Sequence, residues 1–203
     1  LYRMTPSSEN FSSIRDLGHV DVDSLKLAAR HNFPSELIAE TLRRKAKWIG
    51  LGGGHDYGYA DGAGFLKANS KSSAKPLVIN FDAHLDVRDL SHGLSSGTPF
   101  FRLLSDFEKF DLLEIGVQDY CNSPAHRAWA KGQGARILSW DEIVVSGKAP
   151  HSKILEFLSP WLVRPAPTFV SVDIAVFSSQ CAKGCSHSLP PGMDPMSFFR
   201  VFA

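Results

Sequence analysis

Short apolar runs alternate with helical patterns along most of the chain. Five runs rich in Val, Ile, Leu and Phe show little polar alternation, which is typical of strands buried on both faces. The predicted strands are residues 47–52, 76–84, 111–117, 135–138 and 168–177. Because strands of this kind belong to parallel sheets, we expect their connections to run over the faces of one sheet.

Helical patterns occupy the intervals between these runs, and two polar stretches, residues 7–13 and 186–195, are predicted to be loops. The predicted helices are residues 35–46, 56–67, 98–107, 123–134 and 152–161. Ser35 is the expected N-cap of the first helix, and Pro124 stands just inside the start of the fourth, a position that proline favours. The alternation predicts an α/β fold with helices on both sides of a mainly parallel sheet.

The composition is that of an ordinary folded domain. With 203 residues, 43% of them hydrophobic and 21% charged, residues 1–203 are predicted to form a single domain. The net charge of +1, without a basic run, argues against nucleic acid or an anionic membrane as a partner. No apolar run is long enough to cross a bilayer and no signal peptide is evident, so we expect a cytoplasmic protein.

Cysteine usage favours reduced thiols. Three cysteines are an odd number and few for this length, so a disulfide framework is not expected. Cys181, Cys185 and His187 can be interpreted as a soft-metal cluster. Residues of these types in a loop rich in Gly, Ser and Pro are more often plain loop residues, which leaves a zinc site as the lesser alternative.

Residues 80–88, NFDAHLDVR, end an apolar run with residues of metal-ligand type at every second position. In a strand, alternate side chains share one face, so Asp82, His84 and Asp86 would point the same way. Carboxylates this close repel one another and have raised pKa values unless a cation lies among them. The spacing therefore indicates a metal site at the end of this strand.

Two further polar residues stand where predicted strands end. His55 follows three glycines in GLGGGHDYGY, and Asp173 interrupts the apolar run FVSVDIAVFSSQ. Each one alone is more often a hydrogen-bonded turn residue or a helix cap. Because the carboxyl ends of parallel strands meet at one edge of a sheet, we expect both to join the other three residues. Carboxylate oxygens with two imidazoles suit a hard or borderline divalent ion such as Mn²⁺.

Four motifs, GGGHD, DAHLDVR, SSGTPF and SVDIAVF, occur in the order and at roughly the spacing found in the arginase/agmatinase/formimidoylglutamase family of binuclear manganese hydrolases. SSGTPFFRLL and LEIGVQDYCNSPAHRAWA are most similar to the formimidoylglutamase branch. The resemblance implies a three-layer α/β/α fold of the arginase/deacetylase kind. It also implies hydrolysis of a formimino or guanidino C–N bond. The expected small-molecule substrate is formimidoylglutamate, giving glutamate and formamide, and an agmatinase- or arginase-like ureohydrolase is the alternative.

The resemblance also implies roles for single residues. The ligands of one manganese ion are matched by His55, Asp82, Asp86 and Asp173. Those of the second ion are matched by Asp82, His84 and Asp173, with Asp82 and Asp173 bridging. Asp86 and His84 are the expected catalytic residues. The loop residues that we expect to meet the substrate are His92, Ser95, Ser96 and Asn122.

The chain departs from the family pattern at informative positions. The family's Asp-x-Asp motif reads Asp173-Ile174-Ala175, and alanine offers no ligand atom to the second ion. Ser96 stands where arginases have a histidine. Compared with the family pattern, we expect the chain to lack a Gly-rich N-terminal stretch and the C-terminal strands. The alternatives left open are a fragment, or a degenerate member that has a weakened second metal site and serves as a binding partner or a homo-oligomer.

Overall fold

A four-stranded parallel sheet forms the centre of the protein. The structure, a computed structural model, describes residues 14–18, 26–187 and 189–203, and the loop predicted at residues 7–13 lies outside these ranges. The strands are β1 (Leu77–Phe81), β2 (Asp111–Val117), β3 (Arg136–Ser139) and β4 (Thr168–Val172). Their order is β3-β2-β1-β4, and each neighbouring pair is parallel. The predicted parallel sheet is therefore confirmed.

Helices cover both faces of this sheet. The α-helices of the described chain are α1 (Leu27–Arg43), α2 (Tyr57–Ala68), α3 (Pro99–Asp106), α4 (Pro124–Gly132), α5 (Trp140–Val145), α6 (Pro150–Leu162) and α7 (Pro195–Val201). On one face, Val78 and Leu112 of the sheet join a core with residues of α2, α3 and α4. On the other, Ile79 and Leu113 join a core with residues of α5, α6 and α7. The two cores make the predicted three layers.

The direction in which strands are added to the sheet reverses at β1. The connections from β1 to β2 and from β2 to β3 run through α3 and α4 on one face. The connection from β3 to β4 runs through α5 and α6 on the other, and β4 lies on the opposite side of β1 from β2. In open parallel sheets, ligands bind at the carboxyl ends of the strands where the order reverses. The ends of β1 and β4 are that place here.

One predicted strand is absent. Residues 47–52 form no strand, and Ile49 and Leu51 are 81% and 96% exposed. Residues of this segment and of β4 line the same cavity, which has a volume of about 840 Å³. A strand needs a neighbouring backbone to pair with, and no described residue pairs with this segment. The predicted strand is therefore wrong, because an apolar run with glycines does not reveal whether a neighbouring strand is available.

Several predicted boundaries also shift. The helix expected at residues 35–46 begins at Leu27 and contains Pro34, so Ser35 is a buried helical residue instead of an N-cap. The strands expected to reach residues 84 and 177 end at Phe81 and Val172. The short helices α5 and α7 were not predicted. A signal for α5 was present, because Ser139 and Glu142 form a capping box at its start.

A buried carboxyl group lies inside the sheet. Glu114 on β2 is in register with Asn80 on β1, and both side chains are fully buried. Asn80 Nδ2 donates to Glu114 Oε2 at 2.8 Å, while Glu114 Oε1 has no hydrogen-bond partner among the described residues. Burial raises the pKa of Glu114 well above its usual value, so this carboxyl keeps its proton in the folded protein.

Replacing Glu114 by glutamine should stabilise the protein at neutral pH. Above the ordinary pKa of 4.5 the unfolded chain releases the Glu114 proton while the folded protein retains it, so stability falls as pH rises. The expected slope is about 1.4 kcal/mol per pH unit up to the raised pKa. Urea unfolding at about pH 5 and about pH 7 should show that Glu114→Gln removes this fall.

The exposed Glu108 provides the control. Glu108→Gln should leave the difference in stability between the two pH values unchanged. If Glu114→Gln also leaves that difference unchanged, then Glu114 is ionised in the folded protein and the argument from its burial is wrong.

Candidate metal centre

Four side chains of metal-ligand type converge at the carboxyl ends of β1 and β4. Each of His55, Asp82, Asp86 and Asp173 offers one potential ligand atom, and these atoms lie within 4.8 Å of one another. His55 Nδ1 lies 2.8 Å from an Asp86 oxygen, 3.0 Å from Asp82 Oδ2 and 3.3 Å from Asp173 Oδ2. One imidazole is therefore surrounded by three carboxylates.

The His55 ring is fixed by neighbours from two other elements. His55 lies just before α2 and packs edge-on against Phe100 of α3, with ring centroids 5.6 Å apart. Its Nε2 lies 2.9 Å from Ser171 Oγ on β4. Sequence reasoning missed Ser171, although a polar residue inside an apolar strand, two positions before Asp173, was an available signal. These contacts turn Nδ1 of His55 toward the carboxylates.

The segment after β1 is a loop, and the side chain of Asn122 shapes it. Asn122 Nδ2 donates to the carbonyls of Ala83 and Gln118 at 2.8 and 2.7 Å. Asn122 Oδ1 accepts from Leu85 N–H at 2.9 Å. Asp86 has a φ of 48°, a left-handed conformation that aspartate tolerates better than most residues. Loop hydrogen bonds, and not the expected strand alternation, bring the aspartates together.

The four predicted substrate contacts differ in their surroundings. Because the side-chain amide of Asn122 is engaged with backbone groups on both its donor and acceptor sides, it supports the loop rather than facing a ligand. His92, Ser95 and Ser96 lie between Asp86 and α3. His92 and Ser96 are exposed and Ser95 is half-buried, and these three stay predicted substrate contacts.

His84 lies beside the four-residue cluster and contacts it through Asp82. The backbone N–H of His84 donates to Asp82 Oδ1 at 2.9 Å, and His84 Nδ1 is 3.4 Å from the same oxygen. His55 approaches the other oxygen, Oδ2. The Asp82 carboxylate therefore lies between the two histidines. Hydrogen bonds with Asp82 and Cys121 raise the pKa of His84 to about 10.

The pKa values of the four cluster residues are shifted by burial and by the charges of their neighbours. Burial opposes protonation of His55, but hydrogen bonds with Asp82 and Asp86 raise its pKa to about 11. Burial and the negative charge of Asp82 raise the pKa of Asp86 to about 7 and also raise that of Asp173. Burial opposes ionisation of Asp82, yet its bond with His55 lowers its pKa. Each of these shifts has the same origin, the close approach of several buried ionisable groups.

The residues fit a divalent cation. Asp82 is fully buried, and its Oδ2 lies 3.0 Å from His55 Nδ1 without a well-oriented hydrogen bond from any described residue. A buried carboxylate oxygen is costly unless positive charge, such as a bound cation, lies beside it. Three carboxylate oxygens and one imidazole nitrogen are ligands for a hard or borderline ion such as Mn²⁺.

The alternative zinc cluster gains no support from the geometry. Within residues 14–18, 26–187 and 189–203, one group of side chains lies close enough together to share a metal, namely His55, Asp82, Asp86 and Asp173. Cys181 and Cys185 do not belong to that group, and all three cysteines are free thiols, as the sequence predicted.

Ala175 does not stand where the strand pattern placed it. β4 ends at Val172, and Ile174–Val176 form a 3₁₀ helix that Asp173 caps. The Ala175 N–H donates to Asp173 Oδ1 at 2.7 Å, and the residue is 2% exposed. Ala175 therefore adjoins the cluster through its backbone, because the strand predicted to reach residue 177 ends before it.

The fold and this site together define an α/β protein with a candidate divalent-metal centre at the reversal of its strand order. A model of the Arginase family matches residues 3–203. The chain belongs to the arginase family.

Individual relatives agree with this assignment. The chain is 31% identical over 183 residues to formimidoylglutamase of Bacillus subtilis, an alignment that covers 88% of this chain and 56% of the relative. The crystal structure of formimidoylglutamase from the same species superposes with a TM-score of 0.78 at 30% identity, covering 92% of this chain and 58% of that one. Trypanosoma cruzi formiminoglutamase with Mn²⁺ superposes with a TM-score of 0.73 at 26% identity, covering 89% and 59%. The chain spans about half the length of the curated relatives it matches.

Manganese binding should weaken as pH falls. The pKa of His55 is about 11, so its ring is protonated at neutral pH before an ion binds. The pKa of Asp86 is about 7, so its carboxyl is protonated in part of the molecules at this pH. Metal binding must displace these protons, so affinity should rise with pH by up to about tenfold per unit for each proton released. Titration calorimetry with Mn²⁺ between about pH 6 and about pH 8 measures this slope.

The proton release can be counted separately. Repeating the titration in buffers of different ionisation enthalpy gives the number of protons released for each ion bound. An affinity that does not change over this pH range, with no protons released, would contradict binding at this cluster.

Proposed function

We propose that the protein is a manganese-dependent hydrolase that cleaves the formimino C–N bond of formimidoylglutamate and releases formamide and glutamate. The observation that carries this proposal is the convergence of His55 with three aspartates at the reversal of strand order. The similarity to relatives named formimidoylglutamase supports the choice of substrate. The manganese in a related crystal structure supports the choice of ion.

His55, Asp82, Asp86 and Asp173 would hold one ion. The position of the Asp82 carboxylate between His55 and His84 suits a bridge to a second ion, which His84 and Asp173 would also bind. When bound, such ions would lower the pKa of a water and stabilise the negative charge that develops as water attacks the amidine carbon.

Side chains of the protein are proposed to transfer the proton, orient the ligand ring and contact the substrate. Asp86 is the proposed group for moving a proton from the attacking water toward the leaving nitrogen, because its carboxylate lies within the cluster, 2.8 Å from His55 Nδ1. The ring of His55 is fixed against Ser171 and Phe100, which keeps the ligand atom directed at the carboxylates. The loop with His92, Ser95 and Ser96 is the proposed contact for the glutamate part of the substrate.

Removing the carboxylate of Asp82 should abolish activity. Asp82→Asn keeps the shape but loses the charge that both proposed ions share, so formamide release from formimidoylglutamate in the presence of Mn²⁺ should fall by more than about 100-fold. The control is Asp141→Asn, which removes an exposed carboxylate in the first turn of α5 and should retain activity.

The same assay distinguishes the alternatives. Urea release from arginine or agmatine, without formamide release from formimidoylglutamate, would replace the proposed substrate by a guanidino compound. Manganese binding without turnover of any of the three would identify a degenerate member of the family. Ala175 is the observation behind this last alternative, because it offers no ligand atom to a second ion.

Ala175→Asp should strengthen binding of a second manganese ion. The new carboxylate would enter a buried position beside Asp173, where it adds one hard ligand and one negative charge. Without metal, this extra buried charge should lower the melting temperature. With Mn²⁺, the variant should regain more stability than the parent and bind the second ion at least about tenfold more tightly, as measured by titration calorimetry.

Ala175→Asn is the matched control, since it has the same shape without the charge. The asparagine variant should show the loss of stability without the additional gain from Mn²⁺. If Ala175→Asp gains no more from Mn²⁺ than Ala175→Asn does, the side chain at this position does not face the ions.

A further inference from the structure

A buried histidine links three helices close to the metal centre. His31 of α1 is fully buried, and both of its ring nitrogens have partners. Nε2 lies 2.7 Å from Asp56 Oδ2, and Nδ1 lies 2.8 Å from Nη1 of Arg102 on α3. Asp56 is the N-cap residue of α2 and follows His55 directly. The three side chains form a chain of contacts that ends at the metal-ligand turn.

The partners of His31 determine its tautomer. A guanidinium group can only donate hydrogen bonds, so Nδ1 of His31 must accept from Arg102. Nε2 then carries the proton and donates it to the Asp56 carboxylate. Arg102 is itself held from the other side, because its guanidinium lies 3.2 Å from the centre of the Tyr59 ring, and Tyr59 donates to Asp106 at 2.7 Å. Arg102 therefore donates a hydrogen bond to His31, and His31 donates one to Asp56.

Asp56 in turn limits the backbone of the turn before His55. A Cβ atom added at Gly54 would lie 2.3 Å from Asp56 Oδ1, far inside van der Waals contact. The far end of a free aspartate could rotate away from such an atom. Here His31 holds the carboxylate, so a side chain at Gly54 would strain either the turn or the contact between Asp56 and His31. The location of the Asp56 carboxylate and the path of the backbone into His55 are therefore coupled.

Packing alone does not account for a histidine at position 31. A buried polar ring has to satisfy both nitrogens, which an apolar side chain of similar size would not require. The neighbouring helices supply one donor and one acceptor for these two nitrogens, and the acceptor is the residue next to a proposed metal ligand. Side chains that orient a metal ligand from behind commonly contribute about 10–100-fold to metal affinity.

We infer that Arg102, His31 and Asp56 form a positioning network that fixes the turn carrying His55, so that His55 Nδ1 is held at the aspartate cluster before a ligand arrives. The inference rests on the proposed function for its consequence in metal binding. None of its three residues is a proposed metal ligand, and none was singled out from the sequence.

The test compares two replacements of His31. His31→Gln retains an amide N–H that can donate to Asp56, whereas His31→Leu fills the space without a donor. We expect His31→Leu to weaken Mn²⁺ binding by about 10–100-fold and His31→Gln to retain most of the affinity. Ser35→Ala is the control for looser packing of α1 on α2, because Ser35 is buried on the same helix and accepts from Lys67 at 3.1 Å. It should bind Mn²⁺ within about threefold of the parent.

A role in packing only would reverse this order. If His31→Leu binds Mn²⁺ as tightly as the parent, or if His31→Gln is weakened as much as His31→Leu, then His31 does not position the turn and the inference is wrong.

Two measurements without metal separate this inference from the proposed function. The ¹⁵N resonances of the His31 ring should show a protonated Nε2 and an unprotonated Nδ1. Hydrogen exchange of the Tyr57, Gly58 and Tyr59 amides, which donate within the turn, should be at least about tenfold faster in His31→Leu than in Ser35→Ala. If the parent binds no Mn²⁺, the proposed function fails, and these two readings alone decide the positioning network. The opposite tautomer, or equal exchange rates, would overturn it.

Discussion

The crowding of three carboxylates around one imidazole is the constraint on which the rest of the structure depends. His55 Nδ1 lies within 3.3 Å of Asp82, Asp86 and Asp173, and this arrangement is stable only if positive charge compensates the three acids. The residues come from three separate parts of the chain. The sheet brings them together because β1 and β4 are neighbours whose connections leave on opposite faces, so that their carboxyl ends share a crevice.

Two neutral groups support the cluster, whereas the positive charge beside it comes from His84, whose pKa is raised to about 10. Beneath it, Glu114 and Asn80 form a neutral hydrogen-bonded pair between β1 and β2, because burial keeps the Glu114 proton in place. Beside it, the uncharged amide of Asn122 fixes the loop that carries the aspartates. The charged group of Arg102 acts on the turn that carries His55 through His31 and Asp56. A fourth ionised carboxylate in direct contact would have increased the repulsion that the site already has to offset.

The sequence was sufficient for the layers and for the cluster, but not for the geometry within it. Periodicity predicted β1, β2 and β3 because apolar runs of strand length are a local signal. It failed at residues 47–52, where the outcome depends on a pairing partner far away in the chain. Asp82, Asp86 and Asp173 were recognised by residue type, yet the turns that direct them depend on Asn122 and on the 3₁₀ helix at Ile174–Val176. His31 could not be foreseen, since nothing in its local sequence indicates a partner 25 residues away.

The glycines of α2 have a consequence for the order of folding. Gly58, Gly62 and Gly64 let the helix approach its neighbours closely; a Cβ at Gly64 would lie 2.7 Å from Ile38, for example. Each glycine also lowers the intrinsic stability of the helix by about 1 kcal/mol relative to alanine, so the isolated segment has little tendency to be helical. α2 therefore depends on its packing against α1 and the sheet, and we expect it to form no earlier than they do. Because His55 stands at its start, we expect the candidate metal centre to take its shape with that packing.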